Sequence, residues 1–138
     1  MNTQPNTLSF QFGLLDFVHI LMIEDGTIDE RELAYLNLIK EEENITDKVF
    51  KEFENSLLYK TERQIYLEGI ELLNQCNEEE KLSAFVHLYR LMESDGEIHV
   101  KEIRFLLYSL KKPGIEFEDV ELSARMSKAR VSGFQNRV

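Results

Sequence analysis

Apolar residues recur three and four positions apart through most of the chain, with polar residues between them. Because residues at that spacing share one face of an α-helix, the pattern predicts amphipathic helices with one buried stripe each. The predicted helices cover about residues 9–24, 30–42, 78–94, 100–111 and 118–129, with one more starting after Thr46 or Asp47 and another opening at Thr61. No segment shows the alternation of a β-strand. We therefore predict an all-α bundle of about seven helices.

Several predicted helix boundaries carry a local signal. Asn77 is followed three residues later by Glu80, which is the spacing of a capping box. Pro113 and Gly114 end the predicted sixth helix, since proline cannot continue it. Gly69 falls in the middle of the predicted fourth helix, where it costs about 1 kcal/mol relative to alanine. Its presence there predicts close packing against a neighbouring helix.

Two stretches of the chain repeat one another. Residues 21–36 (LMIEDGTIDERELAYL) and 91–106 (LMESDGEIHVKEIRFL) lie seventy positions apart and share seven of sixteen residues. Each stretch runs from an apolar helix through an Asp-Gly turn into a second helix. We therefore expect two pseudo-symmetric helix–DG turn–helix units. No linker separates them, so residues 1–138 should form a single compact domain, with 1–8 and about 130–138 loose.

Four acidic residues recur at matched positions of the repeat: Asp25 and Glu32 in the first copy, Asp95 and Glu102 in the second. Each continues the apolar stripe of its helix instead of the opposite, solvated face. Two carboxylates about 5 Å apart repel by ~3 kcal/mol at an effective dielectric near 20, so four together need protonation, basic partners or a bound cation. Carboxylates without Cys or paired His favour Ca²⁺, Mg²⁺ or Mn²⁺.

Helix capping is the alternative explanation for the same acids. Asp29 and Glu32 have the spacing of a capping box, and Asp25 could be a turn residue. The second copy has His99, a poor cap, at the corresponding position, yet it keeps Glu102. The alternative function is a metal-free protein-interaction module in which the acids cap helices and pair with nearby bases. Those bases would be Arg31, Lys101 or Arg104.

A complete EF-hand loop is not present. The register that fits Glu32 to the last loop position puts Leu21 and Ile23 where calcium needs carboxylates, and the second copy has Leu91 at the first of these positions. The acidic Glu41–Glu43 cluster is expected to be solvated at the end of the second helix.

The paired apolar–DG–x–[IV]–x–x–x–E element in a short all-helical chain resembles the TerB-like family of tellurite resistance proteins. The matching positions are Asp25, Gly26, Ile28 and Glu32, and then Asp95, Gly96, Ile98 and Glu102. The resemblance implies a compact bundle with pseudo-twofold halves, whose acidic residues bind a divalent metal. It also implies association with stress-response or membrane-linked complexes. Glu24 and Ser94 replace the alanine that commonly precedes the family's DG.

The formal net charge of −10 argues against nucleic acid as a partner, because neutralising phosphates requires a basic surface. It suits cations or a basic protein partner. The charge is uneven, since residues 122–138 carry four bases and no acids. That segment could meet an acidic partner or the surface of a membrane, so peripheral membrane association is considered as well.

The remaining features favour a non-enzymatic cytoplasmic protein. Cys76 is the single cysteine, which excludes an intramolecular disulfide and fits a reducing compartment. No base precedes Arg31, so no secretory signal is recognised. No nucleophile–base pair or Gly-rich phosphate loop is found. Asp16 and His19 have the spacing of di-metal bundle ligands, but the other histidines lack an acid three residues before them.

Overall fold

The structure is a computed structural model, and its described residues include five helices whose first and last residues are both defined. It describes residues 7–24, 30–93, 108–109, 111, 116 and 118–125. The helices are α1 (Thr7–Glu24), α2 (Glu30–Glu42), α3 (Asp47–Leu57), α4 (Glu62–Asn74) and α5 (Glu78–Glu93). Residues 108, 109, 111 and 118–125 are helical as well, and no strand occurs among the described residues. The predicted all-α fold is therefore confirmed. Both Asp-Gly turns of the repeat lie outside the described residues.

The helix starts follow the caps that the sequence predicts. Thr61 accepts a hydrogen bond from the backbone N–H of Gln64 at 3.1 Å, and the Gln64 side chain accepts one from the N–H of Thr61 at 2.8 Å. Asn77 and Glu80 exchange the same two bonds at 2.8 and 3.0 Å. Thr46 caps α3 in a similar way. These bonds satisfy backbone donors that a helix start leaves free.

The end of α2 is a tight left-handed turn. Asn44 has a φ of 56°, a conformation that Asn tolerates better than most residues. The N–H of Ile45 donates to the carbonyl of Lys40 at 2.8 Å, and that of Asn44 donates to Glu41 at 3.3 Å. This is the Schellman pattern of helix termination.

Helix α1 lies at the centre of the core. Its residues from Leu14 to Val18 are at most 2% exposed, and α4 makes the most extensive described contact with it. A Cβ atom added to Gly69 would lie 3.2 Å from the Cβ of Asp16 and 3.3 Å from the ring of Phe17. The close packing predicted at Gly69 is therefore confirmed.

Helices α1 and α5 run side by side in the same direction. Near their starts, Phe10 shares a cleft with Glu79 and Glu80, and further along the rings of Phe17 and Phe85 lie 5.8 Å apart. The ring contact joins residues 68 positions apart (85 − 17), and the cleft brings Phe10 near the first turn of α5. The pairing therefore keeps nearly the spacing of the sequence repeat. As a consequence, both helices end at the same end of the molecule.

Within the described part of the chain, no helix combines the length and the apolar character that crossing a lipid bilayer requires.

Candidate functional site

One of the four predicted metal ligands, Glu32, lies within the described residues; Asp25, Asp95 and Glu102 lie outside them. Glu32 occupies the first turn of α2 and is only 4% exposed. Glutamate is rarely buried to this degree unless it is paired. The partial positive charge at the start of α2 stabilises a carboxylate there, and this offsets part of the free-energy cost of burying Glu32. Its side chain points into the protein, as its place on the apolar stripe predicts.

The contacts between α2 and α5 show where Glu32 lies. Glu43, just beyond the end of α2, contacts His87 in the middle of α5. Tyr35, two turns earlier, packs its ring 6.4 Å from that of His87. Burial raises the pKa of Tyr35 to about 12, Arg90 opposes this rise and Glu93 adds to it. Helix α2 therefore runs antiparallel to α5, with its start beside the last turn of α5.

Glu32 is three residues before Tyr35, so both side chains lie on the same side of α2. Glu32 therefore lies on the face of α2 that carries Tyr35 toward α5, near the end of the molecule where α1 and α5 both finish. Among the described residues, no group of three or more His, Cys, Asp or Glu side chains is arranged to hold a metal. Of the four predicted ligands, that search includes Glu32 alone, because the other three lie outside the described residues.

A partly buried histidine–glutamate pair was not predicted from the sequence. His87 is 4% exposed, and its Nε2 lies 2.7 Å from Glu43 Oε2 and 3.9 Å from Glu42 Oε1. Within the described part of the chain, the Nδ1 atom of His87 has no hydrogen-bond partner. The expectation that the Glu41–Glu43 cluster is solvated holds for Glu41 and Glu42 but is wrong for Glu43. Helical register explains the difference, because the N–H of Glu43 still donates to the carbonyl of Ile39 at 2.9 Å and Glu43 therefore continues the face of α2 on which Ile39 is buried.

A second buried polar group joins α1 to α4. Asp16 is fully buried and meets the carboxyl group of Glu68, whose Oε1 is paired with Lys60 Nζ at 2.5 Å. His19 instead faces α3, with its ring 6.4 Å from that of Phe53. Asp16 and His19 therefore serve different interfaces and form no joint metal site. The sequence signal for this cluster was Gly69, which marks the close contact but not the carboxyl pair.

An apolar cavity of about 340 Å³ lies between α1, α2 and α3. Val18, Leu36 and Phe53 are among its apolar walls, and Lys40 and Glu54 are among its polar ones. The ammonium group of Lys40 also lies 4.3 Å from the centre of the Phe50 ring. The volume is at the lower end of the range for small-molecule sites.

Comparison of the chain with known protein families, with characterised proteins and with solved structures finds no match. The resemblance to the TerB-like family therefore depends on the two DG elements alone, and the predicted metal site is a proposal to be tested on this chain.

Proposed function

We propose that this protein is a non-enzymatic helical module that binds a divalent cation. In this proposal the bundle has about seven helices arranged as two pseudo-symmetric helix–DG turn–helix units, as the resemblance to the TerB-like family implies. The ligands are Asp25, Glu32, Asp95 and Glu102, and the cation is Ca²⁺, Mg²⁺ or Mn²⁺. The observation that carries the proposal is the burial of Glu32 at the end of the molecule where α1 and α5 finish.

Covalent geometry limits how far the other ligands can lie from that end. Asp25 directly follows Glu24, the last residue of α1, and Asp95 is two residues beyond Glu93, the last residue of α5. Consecutive Cα atoms are about 3.8 Å apart, so the Cα of Asp95 is within about 7.6 Å of that of Glu93. Since α1 and α5 end together, this supports a common location for Asp25, Asp95 and Glu32.

A cation at this location would have a structural effect. Several carboxylates near a buried end of the bundle repel one another, and a hard divalent ion with oxygen ligands would relieve that repulsion. It would also join the connection between α1 and α2 to the end of α5. At a hundredfold excess over its dissociation constant, one bound ion adds about 2.7 kcal/mol to the free energy of unfolding.

The test is thermal unfolding of chelator-stripped protein with and without millimolar CaCl₂, MgCl₂ or MnCl₂. We expect one ion to raise the melting temperature by several degrees, and Asp25→Asn and Asp95→Asn to abolish that shift. Asp47→Asn, at a fully exposed carboxylate at the start of α3, is the matched control and should keep it. No shift with any of the three ions would overturn the proposal.

The second candidate is a metal-free interaction domain. Leu58 and Tyr59, in the turn between α3 and α4, are 75% and 85% exposed, and large apolar side chains at a surface can mark a protein contact. Both candidates include a cytoplasmic location and a protein partner in stress response. Both also include contact of the basic segment 122–138 with an acidic or membrane surface. The unfolding experiment separates the two candidates, since the metal-free domain predicts no response to ions or chelator.

A further inference from the structure

The buried carboxyl group of Asp16 has no hydrogen-bond donor beside it in the part of the chain that the structure describes. Its side chain is fully buried in the middle of α1, and neither of its oxygens accepts a hydrogen bond from an N–H or hydroxyl group of the described residues. Gly69 lets α4 approach so closely that Asp16 meets Glu68 directly. A buried carboxylate without donors is costly, so this arrangement needs another source of stabilisation.

The charges around Asp16 do not balance. Glu68 of α4 faces it, and Lys60, in the turn before α4, pairs with the other oxygen of Glu68. On the α5 side the contact with α1 is made by the ring of Phe85 against Phe17. Lys40 of α2 and Glu54 of α3 line the cavity on the side of His19, and Glu43 lies beside Gln11 near the start of α1. Among the described residues, the carboxyl groups of Asp16 and Glu68 thus have one ammonium group beside them, which leaves an excess negative charge.

We propose that Asp16 and Glu68 form a buried proton-binding site, which holds one proton between two carboxyl groups and fastens α1 to α4. A hydrogen bond between two carboxyl groups exists only if one of them is protonated, because a carboxylate is an acceptor alone. The bound proton neutralises the excess charge and supplies the missing donor. Loss of the proton at alkaline pH weakens the contact between the two helices.

The direction of the pH effect follows from the environment. Burial raises the pKa of Asp16 from 3.8 to about 9; Glu68 adds to this rise and Lys60 opposes it. The folded protein therefore keeps a proton that the unfolded chain releases above its ordinary pKa. The stabilisation is complete below about pH 4 and is lost as the pH rises toward 9. Within that window, one retained proton makes the unfolding constant rise up to about tenfold per pH unit.

The test compares urea unfolding of the wild-type protein and of Asp16→Asn between pH 6 and 9. Asn has the shape of a protonated Asp, and its amide can donate permanently to Glu68. We expect the unfolding constant of the wild type to rise more steeply with pH than that of Asp16→Asn. The ratio of the two unfolding constants should grow by up to about tenfold per pH unit. Asp47→Asn, which removes an exposed carboxylate, should keep the wild-type slope. Equal slopes for the wild type and Asp16→Asn would overturn the proposal.

A direct measurement does not depend on the stability of any variant. The ¹³C shift of the Asp16 side-chain carboxyl in the wild-type protein should be that of a protonated acid at pH 7 and should titrate on the alkaline side. Glu68→Gln supplies a donor and removes the neighbouring negative charge, so the carboxyl group of Asp16 should then titrate at a lower pH than in the wild type. A carboxylate shift at pH 7 in the wild type would refute the proton site.

Discussion

Replacing Gly69 by alanine tests the contact between α1 and α4 that holds the core together. Glycine is unfavourable inside a helix, so at an exposed position the change would stabilise the protein by about 1 kcal/mol. At Gly69 the added Cβ would lie 3.2 Å from the Cβ of Asp16 and 3.3 and 3.4 Å from two ring atoms of Phe17. Both neighbours are fully buried, so neither can move away without disturbing the core.

The magnitude follows from two opposing effects. Overpacking a well-packed core typically costs about 1–3 kcal/mol, against the gain of about 1 kcal/mol in helix propensity. We therefore expect Gly69→Ala to lower the free energy of unfolding by about 1 kcal/mol. For a chain of 138 residues the unfolding entropy is about 0.3 kcal/mol/K, so the melting temperature should fall by about 3 °C.

Urea unfolding followed by circular dichroism would measure the effect. Asn74→Ala, at an exposed position of the same helix, is the control for propensity alone and should be neutral or stabilising. If Gly69→Ala stabilised the protein by the full 1 kcal/mol of an exposed site, α1 and α4 could not be as close as the structure places them.

Two further predictions concern helix starts and the cysteine. Thr61→Ala and Asn77→Ala should each lower the free energy of unfolding by about 1 kcal/mol, because each removes a side-chain acceptor from a capping box; a change near zero in urea titrations would show that the caps contribute nothing. Cys76 is 7% exposed, and burial raises the pKa of its thiol from 9.0 to about 11. At pH 8 its thiolate fraction should be about a hundredfold below that of the unfolded chain, so a thiol reagent should react correspondingly more slowly with the folded protein. Similar rates in buffer and in urea would contradict the burial of Cys76.

The helix boundaries could be predicted because their signals are local. The predicted second helix, 30–42, coincides with α2 (Glu30–Glu42), and the predicted capping box of Asn77 and Glu80 is present. A cap joins residues three apart, so the sequence contains both partners within one turn. The same holds for the prediction of close packing at Gly69, since a glycine inside a helix is unfavourable without a neighbour.

The polar pairs of the core could not be predicted in the same way. Asp16 and Glu68 are 52 positions apart (68 − 16), and Glu43 and His87 are 44 apart. Each residue alone resembles an ordinary surface acid or a core histidine, and nothing in the sequence indicates which partner it meets. Their pairing depends on how α1, α2, α4 and α5 pack, which hydrophobic periodicity does not specify.

The repeat is the one long-range relation that the sequence does contain, and it bears directly on the candidate site. The ring contact between Phe17 of α1 and Phe85 of α5 joins residues 68 positions apart, close to the spacing of seventy between the two copies. Parallel helices with that offset bring equivalent positions to the same level, so α1 and α5, the helices that precede Asp25 and Asp95 in the sequence, finish at one end of the molecule under either hypothesis. Position alone therefore cannot separate the two hypotheses. An ion-dependent melting temperature that Asp25→Asn and Asp95→Asn abolish is predicted by the metal site and by no capping arrangement, which makes the response to ions the decisive measurement.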